Sequence, residues 1–273
     1  MLGRVLNHKG ARLIIGILLL IVFVGIFAPF FAPNDPYAVD LLSKFAKPSY
    51  EFPLGADQLG RCILSRMIFG IRPTIGLATI TMIGTISLGT FVGLISGYFR
   101  GIVDEILMRI VDVMLSFPSQ IMVFAVVALL GIDVKNVILA NVLIKWAWYA
   151  RMIRTNVIKY REKNFVQYSK VIGNSEGYIL KNHLLPSILS ETVMLASLDI
   201  GWAIINISTL SFLGLGVQPP TPEWGAMLNE AKQVFSSNPI QMIVPGVSIV
   251  IVVSLFNALG DILRDALDPK EVM

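Results

Sequence analysis

Three charged side chains stand inside otherwise apolar stretches of this chain: Lys145, Glu191 and Asp199. A charge at the centre of a bilayer costs on the order of 3 kcal/mol, so such groups either pair with one another or meet a polar solute. Asp199 lies nearest the middle of its stretch. It either lines a path and meets a polar or cationic cargo, or is hydrogen-bonded inside a helix bundle, with Lys145 as its candidate partner. Glu191 precedes Asp199 by eight residues, which on a helix leaves the two about 80° apart, on a similar face. Both are candidate path residues, although Glu191 and Lys145 also suit positions nearer a membrane surface. Other chemistry has little support. No Gly-x-x-x-x-Gly-Lys-Ser/Thr loop occurs, so the chain is expected to hydrolyse no ATP of its own. Gly-x-Ser-x-Gly, His-Glu-x-x-His and Asp-rich calcium loops are missing too. A single Cys62 excludes an intrachain disulfide, and with only His8 and His183 beside it no transition-metal cluster is expected. No cofactor is expected on this chain; energy would come from a partner or an ion gradient.

The elements that must position these charges are membrane helices. Hydrophobic residues make up 55% of the 273, charged residues 15%, and mean hydropathy is +0.73. The net charge of +4 is no nucleic-acid signature, since the excess lies in loops. Leu13–Asn34, Pro73–Phe99, Val113–Ile132 and Ile240–Gly260 carry no charge over 22, 27, 20 and 21 residues, each enough to cross a bilayer. About Val137–Ile153 and Ile188–Leu210 complete an expected six spans in an all-α polytopic protein. The first span lacks a small-x-small cleavage site and reads as uncleaved. Gly89, Gly93 and Gly97, spaced by four, with Gly76 and Gly84 upstream, form a small-residue stripe for close helix packing. Pro118 and Pro245 are expected to bend their spans. With the N-terminus inside, Lys and Arg number three, two, seven and two in the cytoplasmic segments 1–12, 100–110, 151–187 and 261–273. The outer segments 33–72, 133–136 and 214–239 hold five, one and one. The positive-inside rule therefore places both termini in the cytoplasm.

The segment 151–187 stands out. Its seven basic residues (Arg151, Arg154, Lys159, Arg161, Lys163, Lys170, Lys181) face two acids, Glu162 and Glu176. Two short helical pieces are expected, broken by Gly173 and stopped by Pro186. Gly173 supplies a positive φ, Asn174-Ser175 caps the second piece, and Glu176 complements its dipole. Val171, Ile172, Tyr178 and Ile179 would then share an apolar face rimmed by Lys170 and Lys181. That face either docks on another protein, or folds back on the bundle or the lipid surface.

Gly173 followed by Leu185-Pro186 on a loop after the fourth span resembles the coupling loop of permeases in binding-protein-dependent ABC importers. The family's Glu-Ala-Ala reads Gln167-Tyr168-Ser169 here. Pro53–Arg61, Gly97-Tyr-Phe with Asp104, Met108–Asp112 with Phe117-Pro118, Ser211–Gly225, and Asn257–Asp261 with Arg264–Pro269 extend the resemblance over nearly the whole chain. These segments are similar to the second (C-type) subunit of the dipeptide/oligopeptide/nickel permease group. Trp146–Arg154 and Leu198–Gly201 look most like the nickel permease. The resemblance implies the type I ABC importer permease fold, with an N-terminal span and extracytoplasmic segment over 1–71, a permease domain over 72–262 and a cytoplasmic tail over 263–273. It also implies a homologous second permease, two ATPase subunits that hydrolyse ATP, and an extracytoplasmic solute-binding protein, all in a bacterial cell membrane. Gln167, Tyr168, Ser169, Val171, Ile172, Gly173, Glu176, Tyr178, Leu185 and Pro186 would form the ATPase-coupling loop. The implied cargo is nickel, cobalt or a metal chelate; the alternative is a di- or oligopeptide. An ion-coupled carrier rests only on Asp199 and Glu191, and a membrane enzyme on nothing.

Overall fold

A computed structural model describes residues 9–267. His8, Arg4 and the end of the C-terminal motif, Asp268-Pro269, lie outside the described residues. Those described are mostly helical, with no β-sheet among them. Helix α1 (Lys9–Ile26) leads through the short α2 (Ala28–Phe31) into an irregular segment, and α3 (Ile63–Phe99) follows. The first helix turns Leu13, Leu19, Leu20 and Phe23 outward, as a helix with lipid on most sides must. It docks through Gly25, where a Cβ would lie 2.5 Å from Ile71 Cγ2. Arg72 then donates to the Gly25 and Ile26 carbonyls at 2.6 Å each, satisfying acceptors at the helix end.

The axis of the molecule is α3, 37 residues and about 55 Å long. It starts ten residues before the charge-free run, so residues 71 and 72 lie inside one helix. Gly89, Gly93 and Gly97 face α6 (Val134–Arg161) as the four-residue spacing predicts. A Cβ on them would lie 2.5 Å from Tyr149 Cβ, 2.7 Å from the Ala150 carbonyl and 2.8 Å from Val157 Cβ. Gly84 meets Val142 in the same way, but Gly76 has nothing within 4 Å and does not belong to the stripe.

The expected bend at Pro118 breaks the span Val113–Ile132 into two separate helices. Helix α4 (Gly101–Ser116) and α5 (Ser119–Leu130) meet at 90°. Pro118 has no N–H to donate and forces the preceding Phe117 into extended backbone, φ −103° and ψ 146°. Short helices α7 (Asn164–Val171) and α8 (Glu176–Ile179) precede α9 (Leu185–Phe212), α10 (Trp224–Ala231) and α11 (Ile240–Leu267), and α11 continues through Pro245. Pro186 stops nothing. The helical path runs unbroken from Glu176 to Phe212, with a π-turn over Leu180–Leu184 whose wider spacing admits the proline ring at the start of α9. Among the described residues four helices are long and apolar enough to cross a membrane, or five if the bent α4–α5 pair is one span. The expected count of six needs α6, which is 28 residues long but carries Lys145 in mid-helix.

At the end of the bundle opposite the polar loop, two sequence-distant segments are locked together. Arg61 contacts Asp57 at 2.7 Å and Glu230 at 2.8 Å, and Arg66 contacts the same two acids at 2.6 and 2.7 Å. Beside this knot, Trp224 fills the notch at Gly70 and donates from Nε1 to the Met67 carbonyl at 3.0 Å. Glu223 is fully buried and caps α10, accepting from the amides of Gly225 and Ala226 and from the hydroxyls of Thr74 and Ser208.

Candidate coupling surface and membrane cavity

The polar loop folds into a hydrogen-bonded knob. Helix α7 ends in two reversed hydrogen bonds, Asn174 N–H to the Ser169 carbonyl (3.2 Å) and Gly173 N–H to the Lys170 carbonyl (3.0 Å). This closure needs a left-handed residue between helix and exit, and Gly173 supplies it at φ +85°. Ser175 Oγ then accepts from Tyr178 N–H as the cap of α8. Gln167 donates from Nε2 to the Arg161 carbonyl at 2.9 Å, satisfying an acceptor at the end of α6. A carboxylate cannot donate, so in this chain the amide has a task that the family's glutamate could not perform.

The faces divide sharply. Val166, Ser169, Ile179 and Leu184 are buried, whereas Tyr168, Val171, Ile172 and Tyr178 are 67, 84, 57 and 46% exposed. Ile179 therefore leaves the expected outer face and anchors α8 to the bundle. Glu176 and Pro186 are exposed and Leu185 is half-buried. His183 sits 5.6 Å from the Tyr178 ring and 6.1 Å from Phe165, closing the back of the knob.

The basic character of the loop is largely spent inside the chain. Arg154 holds Asp104 with two bonds of 2.6 Å, Ser96 donates to the same carboxylate, and Arg151 pairs with Asp112. Arg161 and Lys170 lie over the ring of Tyr98, at 5.8 and 4.7 Å. Burial, and then the nearby charge of Arg161, hold the Lys170 amine below the usual lysine range. What the knob offers outward is apolar, namely Tyr168, Val171 and Ile172, with Lys163 and Lys181 nearby as exposed cations.

A cavity of about 520 Å³ opens between α3, the α4–α5 bend, α6 and α9. Asp199 lines it and accepts a hydrogen bond from the Tyr149 hydroxyl. Lys145 lines it too but makes no ion pair with Asp199, so the expected pairing is replaced by the tyrosine. Glu191 is not part of this lining; its Oε1 accepts from Tyr160 at 3.2 Å, while Oε2 is buried without a partner. The sequence reading missed Asn141, Trp148, Tyr149, Trp202 and Asn206 in the lining. Their signal was present as spacing: 141, 145, 148 and 149 share one helical face, as do 199, 202 and 206. Among the described residues no His, Cys, Asp or Glu cluster is arranged to hold a metal.

Comparison with known proteins identifies the family of the chain. A family described as "binding-protein-dependent transport system inner membrane component" matches residues 89–272, and the "N-terminal TM domain of oligopeptide transport permease C" matches residues 1–48. The metal-staphylopine import system permease protein CntC of Staphylococcus aureus is 43% identical, over 98% of this chain and 93% of its own length. The nickel transport system permease protein NikC of Escherichia coli is 39% identical over 97 and 96%, and the dipeptide permease DppC of Alkalihalophilus pseudofirmus 37% over 96 and 87%. Among solved structures, an inward-facing MetNI methionine ABC transporter aligns at TM-score 0.60, covering 76% of this chain and 98% of that one; at 18% identity this shows the fold. The chain is a multi-pass permease subunit, a member of the family of inner membrane components of binding-protein-dependent transport systems.

Proposed function

We propose that this subunit carries a metal chelate, or nickel or cobalt, into a bacterial cell, driven by ATP hydrolysed on two partner subunits. A homologous second permease would supply the other half of the path, and an extracytoplasmic binding protein would deliver the cargo. The observation that carries the reading is the outward ridge of Tyr168, Val171 and Ile172 on a knob whose other face is anchored by Val166, Ile179 and Leu184. Apolar side chains held rigidly at the surface are suited to docking in a groove of another protein. The ion pairs of Arg151 and Arg154 tie the root of the knob to α4, whose far end borders the cavity. Movement at the knob thus has a stiff path to the cargo space. Six crossings, with α6 as the fourth, and cytoplasmic termini put the knob on the ATPase side. The metal cargo is favoured because two relatives named for metal or nickel transport match at 39–43% identity over nearly the whole chain. A dipeptide cargo is the second reading, supported by the dipeptide permease relative.

The test is Val171→Asp, an exposed position where substitution costs less than about 0.5 kcal/mol. The variant should insert and fold normally yet lose ATP-driven uptake and co-purification with the ATPase. Gly173→Asp, which loads the left-handed position with a side chain, should do the same. Normal uptake by both would remove the docking assignment.

A further inference from the structure

The cavity between α3, α6 and α9 holds charges of both signs that are not consumed by each other. Lys145 makes no hydrogen bond or ion pair among the described residues, and Asp199 commits only Oδ2, to Tyr149. A charge in a membrane bundle is normally neutralised by its neighbours. Here the hydroxyl of Tyr149 holds the Asp199 carboxylate in place while leaving Oδ1 open, and the ammonium four residues before that tyrosine feels the Asp199 charge without touching it. The remaining lining is neutral and rich in hydrogen-bonding groups: Gln120, Asn141, Asn206, and Thr81, whose buried Oγ1 has no partner. Trp148 and Trp202 present partly exposed indole faces to the same space.

We propose that Lys145 and Asp199 form a two-sign filter that passes a compact cargo bearing a carboxylate close to a cationic centre. The ammonium of Lys145 receives the carboxylate, the free oxygen of Asp199 faces the cationic centre, and the indoles cover the apolar skeleton. A cavity near 520 Å³ has the size range of small-molecule sites and admits a cargo of a few residues' bulk. The shared chemistry has two sources: an aminocarboxylate chelate, where the cationic centre is a divalent metal, and a free peptide, where it is the terminal ammonium. The filter has no set of ligands to strip the metal, so a chelate would cross intact. This inference rests on the proposed importer function.

The experiment measures concentration dependence of uptake by the complete importer in cells, for labelled nickel as its L-histidine complex and for a labelled dipeptide. Lys145→Gln and Asp199→Asn, both near-isosteric, should each raise the half-saturating concentration about tenfold, the loss of one charged hydrogen bond. Lys145→Arg should restore near-native saturation, because it keeps the charge that a packing role would not require. An effect on the nickel complex alone assigns the cationic centre to metal; an effect on the dipeptide alone assigns it to ammonium. Both outcomes support the filter. Unchanged half-saturation for both cargos in Lys145→Gln and Asp199→Asn overturns it. If at the same time Gly173→Asp abolishes uptake, the importer reading stands without the filter; if Gly173→Asp transports normally, the coupling reading has failed instead.

Discussion

Alanine at Gly93 and at Gly76 should move stability in opposite directions, although both glycines lie in the interior of α3. At Gly93 the new methyl would stand 2.7 Å from the Ala150 carbonyl oxygen and 2.9 Å from Ile153 Cβ, where ordinary contact begins at 3.4 Å. Atoms of the α6 backbone cannot swing away as a side-chain end can, so the two helices must separate. Overpacking of this kind costs about 1–3 kcal/mol. Alanine gains roughly 1 kcal/mol over glycine inside a helix. The net for Gly93→Ala is thus destabilisation by about 1 kcal/mol, taking the middle of that range. Gly76 has nothing within 4 Å, so Gly76→Ala keeps the gain and stabilises by up to about 1 kcal/mol. The two variants then differ by about 2 kcal/mol, or some 4–8 °C in unfolding midpoint for a chain of this size. Tryptophan fluorescence during heating of the detergent-solubilised subunit reads this difference. A midpoint for Gly93→Ala equal to or above that of Gly76→Ala would refute the close α3–α6 contact. Since α6 carries Lys145 and Tyr149, the same separation should also weaken cargo uptake.

Two further substitutions probe other joints. Glu223→Gln replaces two acceptors facing four donors with one acceptor and an amide that must point at an N–H or hydroxyl, and should cost about 1–3 kcal/mol by thermal unfolding. Gln167→Glu removes the donor to the Arg161 carbonyl and should lower stability by about 1 kcal/mol, with faster amide hydrogen exchange at the α6–α7 junction.

The glycine stripe, the Pro118 bend and the Gly173–Ser175 turn were legible because each depends on local geometry: a four-residue spacing, a missing N–H, a positive φ and a capping hydroxyl. Charge pairing was not. Arg154 and Asp104 are 50 residues apart, and Arg61 and Glu230 are 169 apart. No periodicity announces which charges the packing of helices will bring together. The same blindness left the partners of Arg151 and Arg154 on α4 unseen, and made Asp199 read toward Lys145 when Tyr149 holds it. Pro186 was misread as a stop because a π-turn, which relieves the ring clash, has no sequence signature comparable to a cap. Half of the cavity's chemistry was already visible in Asp199 and Lys145. Its neutral half needed the helices in place.

The most direct measurement is uptake of radioactive nickel and cobalt, with and without aminocarboxylate chelators, beside labelled dipeptide uptake, in cells lacking this gene and in complemented cells. The account predicts that deletion removes chelated-metal uptake, that the gene restores it and that Val171→Asp does not, while dipeptide uptake is unchanged. Loss of dipeptide uptake alone would contradict the metal cargo. Undiminished uptake of all three would contradict the importer itself.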